Sequence, residues 1–107
     1  MNVTFEDFKK LEIKIGKVTA CEKIENADRL LKLEVDFGEF KRQIVSGIVE
    51  FYKPEDLVGK ECPFILDLEP RKFKGVESQG MLMAADLEGT PILLHSDKKI
   101  PPGSNVK

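Results

Sequence analysis

The densest cluster of cations in the chain is Arg71-Lys72-Phe73-Lys74, preceded by Pro70 and ended by Gly75. Three positive charges around one aromatic ring suit a nucleic-acid backbone, because the charges neutralise phosphates and the ring offers its face to a base. Taken alone, such a run is also what an ordinary solvated loop carries. A second cluster follows at Glu77-Ser78-Gln79-Gly80-Met81. A hydroxyl with a flexible thioether beside a cationic loop could contact a ribose and pack beneath a base. The alternative is that Met81 and Met83 fill irregular core space. Strict alternation puts Ser78 and Met81 on opposite faces of a strand, and a bulge at Gly80 would bring them to one.

Catalytic chemistry is short of parts. His95 is the single histidine, no orienting acid is evident for it, and Ser78 is not framed by GxSxG,. Cys21 and Cys62 form no CxxC, and neither HxxxH nor HExxH occurs, so no metal site is expected,. The glycines form neither GxGxxG nor a Walker-type phosphate loop, and no cofactor is expected. Both cysteines read as free thiols used as small hydrophobes.

Charge and composition narrow the classes further. The 107 residues carry 17 basic and 19 acidic side chains, a net of -2. That argues against coating nucleic acid by bulk charge and leaves a local basic patch. With 41% hydrophobic and 34% charged residues the chain is too apolar for a disordered tail,. No apolar run approaches the ~18 residues of a membrane span. The first residues lack the basic and apolar regions of a signal peptide, so a soluble cytoplasmic protein with no membrane partner is expected.

The elements that must position these residues are legible as periodicities. Phe5, Phe8 and Leu11 recur at helical spacing behind Thr4, which predicts a short helix over 4–11 packed on the domain. Alternation predicts strands near 12–22, 30–37, 40–48, 61–68 and 76–86, with a glycine bulge at Gly16 and a turn at Gly38-Glu39. Pro54 followed by two acids starts a short helix over 52–57. Residues 91–95 read as a short apolar addition, and Ile100-Pro101-Pro102-Gly103 as an extended, turn-forming tail. Three strands, a helix and two more strands is the order of an OB-fold. The expected architecture is a single all-β domain over 1–107, a five-stranded Greek-key barrel with short helices and a C-terminal extension. That order places Arg71, Lys72 and Lys74 in the loop between the fourth and fifth strands, one of two loops such barrels use for ligands. Lys32, on the polar face of the second strand, and Lys41 and Arg42, opening the third, could join them.

Several blocks now line up in order. They are Asp7-Phe8, Ile13-Lys14-Ile15-Gly16-Lys17-Val18, Ala27-Asp28-Arg29-Leu30-Leu31-Lys32-Leu33 and Arg42-Gln43-Ile44-Val45-Ser46-Gly47-Ile48. Pro54-Glu55-Asp56-Leu57-Val58-Gly59-Lys60, Pro70-Arg71-Lys72 and Gly75-Val76-Glu77-Ser78-Gln79-Gly80-Met81-Leu82 follow. The set resembles the tRNA-binding domain found as a free-standing dimeric protein and at the C-terminus of methionyl-tRNA synthetases. The same domain occurs in the endothelial monocyte-activating polypeptide II type of synthetase cofactor. The resemblance covers residues 4–107 and implies an OB-fold homodimer that binds tRNA by shape and backbone. It assigns Ser78 and Met81 to RNA contact and matches Arg42, Arg71 and Lys72 to basic positions. It departs at Asp67-Leu68-Glu69, where many members read Asn-Leu-Lys and two carboxylates here oppose phosphates. A chain of this length looks like the separate beta chain of a methionyl-tRNA synthetase, non-catalytic by itself, assisting aminoacylation beside the catalytic chain.

Two other readings share the domain. One is a secretion chaperone that binds unfolded or exported polypeptides, which lacks the Ser-Gln-Gly-Met stretch. The other is a synthetase subunit that only docks proteins. For the homodimer, the sequence supplies Ile92, Leu93 and Leu94, three consecutive apolar positions that a small barrel buries only in part.

Overall fold

A computed structural model describes residues 1–107. The alternation that is plainest in the sequence builds its central strand. In β2 (Ala27–Asp36), Leu31, Leu33 and Val35 are wholly buried while Glu34 faces outward. β2 is antiparallel to β1 (Ile13–Ile24) on one side and to β3 (Lys41–Ser46) on the other. β1 is long enough to serve two partners. Its first half pairs with β4 (Glu61–Ile65) and its second with β2, the two overlapping at Lys17. β4 pairs in turn with β7 (Met81–Leu82), giving the order β3-β2-β1-β4-β7. Gln79 N donates to Gln43 O at 2.8 Å, so the two ends of the sheet meet and the sheet closes as an OB-type barrel,. Val18, Leu33, Ile44, Leu57 and Phe64 fill the interior, with Phe37 edge-on to Phe64 at 5.5 Å.

Between β3 and β4 lies α2 (Pro54–Leu57). Pro54 takes a first-turn position where no backbone donor is missed, and Asp56 Oδ2 accepts from Lys53 N at 2.9 Å,. The reward is burial: Leu57 is driven wholly into the core.

Four expectations change. Gly16 is in register opposite Cys62, and the β1 irregularities fall between Val18 and Ala20 and between Lys23 and Ile24 instead. Gly16 is a packing glycine, since a Cβ there would overlap Val35 Cγ1 and stand 2.6 Å from Phe37 Cε1,. α1 is only Phe5–Phe8, capped by Thr4 as expected, but it buries nothing, and Phe5 is 70% exposed. Its two rings lean on each other, 6.5 Å apart, and edge an open cleft that Leu11 and Val106 also line.

The predicted fifth strand is three pieces: β6 (Val76–Ser78), β7 and β8 (Ala84–Leu87). The first break is at Gly80, where φ is 153° and a Cβ would sit 2.9 Å from Ile65 O,. The expected 71–74 loop is half of a hairpin. β5 (Arg71–Phe73) pairs with β6 across Lys74-Gly75, both at positive φ as a tight hairpin turn requires,. β8 pairs with β9 (Thr90–Leu93), which absorbs most of the 91–95 segment.

The extended tail is stitched to β1. Gly103 N donates to Ile15 O at 2.7 Å, Ile15 N to Ser104 O at 2.8 Å and Val106 N to Ile13 O at 2.9 Å. These bonds cover the stretch of β1 that β2 does not reach, where an open edge would otherwise face water.

The two cysteines are separate free thiols, Cys62 buried and Cys21 half-buried. Burial pushes both up to about 11 from 9.0, with Glu22 adding to the effect at Cys21 and Lys60 opposing it at Cys62. Thiolate is the reactive form, so at pH 8 each native thiol should react with Ellman's reagent about 100-fold more slowly than in the unfolded chain. The rate should climb with pH until the thiols ionise, and denatured, unreduced protein should titrate two thiols per chain. Rapid reaction of the native protein at pH 8 would contradict this burial.

Candidate nucleic-acid interface

The β5–β6 hairpin carries three free positive charges. Arg71, Lys72 and Lys74 are exposed, and none forms an ion pair. The Arg71 guanidinium lies 5.1 Å over the Phe73 ring, which holds a flexible cation in a preferred place,. Lys72 stands across the ladder from Glu77. At the hairpin's base Arg71, Phe73, Ser78, Gly80 and Met81 line a cleft of about 90 Å³ together with Leu68 and Glu69. The break at Gly80 thus brings Ser78 and Met81 to one cleft despite their opposite parity. Met81 is 45% exposed there, an apolar, polarisable surface beside Arg71,.

Ser78 sits differently, being 5% exposed. Its hydroxyl accepts from Val45 N at 2.9 Å and donates to Gly80 O at 2.9 Å, so its proton is already engaged inside the protein. Arg42 is half-buried, and one guanidinium nitrogen donates to Leu66 O at 2.7 Å and Gln79 O at 3.0 Å. The group also rests 5.2 Å over the Phe40 ring. Lys32 Nζ lies 2.7 Å from Glu22 Oε1, and Lys41 Nζ lies 3.6 Å from Glu34 Oε1. Of the sequence-derived site, the structure gathers Arg71, Ser78 and Met81 at one cleft, while Lys72 alternates to the hairpin's other face with Glu77 and Lys74 sits in its turn. Arg42 points into the barrel's closing edge, and Lys32 is held by a carboxylate.

The sequence reading gave no role to Gln43 or Gln79, although both lie inside the quoted blocks. Gln43 N donates to Gln79 Oε1 at 3.1 Å and Gln43 Nε2 to Glu77 O at 2.8 Å. Two amides flanking the hairpin base were the available signal. The acidic departure also divides, for Asp67 Oδ1 accepts from Glu12 N at 2.9 Å while Glu69 faces the Met81 cleft.

Elsewhere, His95 is exposed with its Nδ1 3.2 Å from Ser96 O. No three or more His, Cys, Asp or Glu side chains are grouped to hold a metal ion, and no helix is long and apolar enough to cross a membrane. The apolar triplet alternates. Ile92 and Leu94 are 41% and 42% exposed, while Leu93 packs on the core and its N–H donates to the Tyr52 hydroxyl at 3.1 Å.

Residues 13–105 match the family model described as "Putative tRNA binding domain". A methionine–tRNA ligase of Methanothrix thermoacetophila is 49% identical over 105 residues, 98% of this chain. The chain spans 16% of that relative's length. The crystal structure of a MetRS-related protein from Pyrococcus horikoshii superposes with a TM-score of 0.96 at 42% identity, covering 100% of this chain and 99% of that one. The chaperone CsaA of Bacillus anthracis superposes at 0.91 with 29% identity over 100% of both chains. With the family model matched from β1 into the C-terminal tail, and near-half identity to one segment of a methionine–tRNA ligase, the chain belongs to the tRNA-binding domain family.

Proposed function

We propose that the chain is a non-catalytic tRNA-binding module that holds the tRNA backbone through Arg71, Lys72 and Lys74 and packs Met81 against a sugar–base surface. The observation that carries this reading is three unpaired cations on one hairpin near an exposed methionine, while Arg29, Lys32 and Lys41 on β2 and β3 are each paired with a carboxylate. Lys32 joins the surface only by leaving Glu22. Arg42 and Ser78 support it from behind.

The chain would serve in the cytoplasm as a separate beta chain of methionyl-tRNA synthetase, raising the local concentration of tRNA for a catalytic partner. Similarity to the MetRS-related protein and to one segment of methionine–tRNA ligases supports that placement. The full-length similarity to CsaA favours a second reading, a chaperone for unfolded polypeptide. Filter binding separates the two: tRNA should be retained in preference to a reduced, unfolded polypeptide, and the reverse preference would overturn the tRNA reading.

A backbone contact is electrostatic, so each cation removed should lower the salt slope of tRNA binding by about 1. Replacing Arg71 and Lys72 with Gln together should abolish binding at physiological salt while the circular dichroism stays native. Normal binding by this folded double variant would mean the RNA surface lies elsewhere.

Met81 makes a packing contact rather than an ionic one. Met81→Ala should therefore weaken tRNA binding by about five- to tenfold, the scale of a sulfur–aromatic contact, with the salt slope unchanged. A drop in slope would instead show that the substitution had disturbed the neighbouring cations.

We also propose a homodimer built around the β8–β9 hairpin, where Leu87, Ile92 and Leu94 are exposed together. A stable specific interface buries roughly 1,200 Å² or more. Light scattering at micromolar concentration should give twice the chain mass, and Ile92→Lys with Leu94→Lys should halve it. A monomeric wild type would end this proposal.

A further inference from the structure

The barrel closes without a strand ladder. β3 and β7 are the two ends of the five-stranded sheet, and the backbone groups on the free edge of β3 are met mostly by side chains from residues 77–80. Gln43 and Gln79 exchange bonds: Gln79 N donates to Gln43 O at 2.8 Å and Gln43 N to Gln79 Oε1 at 3.1 Å. Gln43 Nε2 adds Glu77 O, Val45 N adds Ser78 Oγ, and Arg42 ties Gln79 O to Leu66 O. Two blocks distant in sequence, Arg42-Gln43-Ile44-Val45 and Glu77-Ser78-Gln79-Gly80, thus form one clasp.

The clasp sits where the basic hairpin begins. β5 packs on β6, and β6 makes its principal contact with the barrel through β3. The wholly buried core residues lie on the barrel's inner side, so the hairpin's position rests on the clasp more than on the core. Without it, Arg71 and Lys72 would swing relative to Met81, and ordering them on a ligand would cost affinity.

We propose that Arg42, Gln43 and Gln79 are positioning residues for the tRNA surface, locking the β5–β6 hairpin against β3 while touching no RNA themselves. This rests on the tRNA reading above. A charge that holds carbonyls leaves the count of neutralised phosphates unchanged, so its loss weakens binding at every salt concentration in parallel. A charge on a phosphate behaves otherwise, changing the slope.

The test uses the full chain and unfractionated tRNA, with binding followed by fluorescence anisotropy across a salt series. Gln43→Leu, Gln79→Leu and Arg42→Leu should each weaken binding about five- to tenfold with unchanged slope, the scale of one or two lost hydrogen bonds. Amide exchange without RNA should rise across 71–81 while β1 and β2 stay protected. If a leucine variant does not fold, Gln79→Asn, whose shorter amide falls short of Gln43 N, takes its place. A slope lowered by about 1 in Arg42→Leu and restored in Arg42→Lys would overturn the proposal in favour of a direct phosphate contact. Unchanged exchange over the hairpin, or unchanged affinity in a variant whose hairpin is loosened, would overturn it too. A wild type that binds no tRNA would sink the tRNA reading itself, whereas the other failures leave that reading standing.

Discussion

A sheet that curls into a barrel must still satisfy the backbone groups of its outermost strand, and here the burden falls on the free edge of β3. Gln43 and Val45 present N–H groups that no neighbouring strand meets in a ladder. An unpaired buried N–H costs of order 1–3 kcal/mol, comparable to much of a small domain's margin. Ser78 and Gln79 supply the missing acceptors at 2.9 and 3.1 Å. Gly80 is what lets them: at φ 153° the chain leaves the strand path at the point where β6 gives way to β7. Closure, the break in the fifth strand and the outward path of the basic hairpin are consequences of this one accounting.

The electrostatics follow the same economy. With a net charge of -2, the protein's long-range field does not draw an anion, and any attraction acts within a Debye length of the surface,. Glu22 and Glu34 hold Lys32 and Lys41 across the ladders, and Glu50 holds Arg29. Such exposed pairs contribute little to stability, typically 0–1 kcal/mol. Their effect is to pair off Arg29, Lys32 and Lys41 on β2 and β3, while the three cations of the hairpin stay unpaired. Glu69 in the lining of the Met81 cleft tempers even that surface.

Local signals were read from the sequence well, and pairwise ones were not. The alternation of Leu31, Leu33 and Val35 and the cap at Thr4 each depend on neighbours a few residues away. The cation run at 71–74 was visible for the same reason. Gln43 and Gln79, by contrast, are 36 residues apart, and an amide carries no periodic mark of its partner. Gly16 was visible as an interruption but not as a packing glycine, because the atoms it makes room for, on Val35 and Phe37, belong to another strand. Phe5, Phe8 and Leu11 had the spacing of a packed helix, yet spacing says nothing of whether a surface waits beneath. Here the three only edge an open cleft with Ile13 and Val106, and a helix of one turn buries none of its residues fully.

The stitch between β1 and residues 103–106 has a consequence for how the chain reaches this state. β1 is made before the other strands of this domain, yet Ile13 and Ile15 hydrogen-bond to Gly103, Ser104 and Val106. Their other neighbours, on β4, also come late. On a ribosome, the β2–β3 ladder can assemble early from nearby sequence, whereas the opening half of β1 must wait until residues 103–106 have emerged. Contacts of such long sequence separation slow folding, because the intervening loop must close before the pairing rewards it. The strand made first is the one completed last.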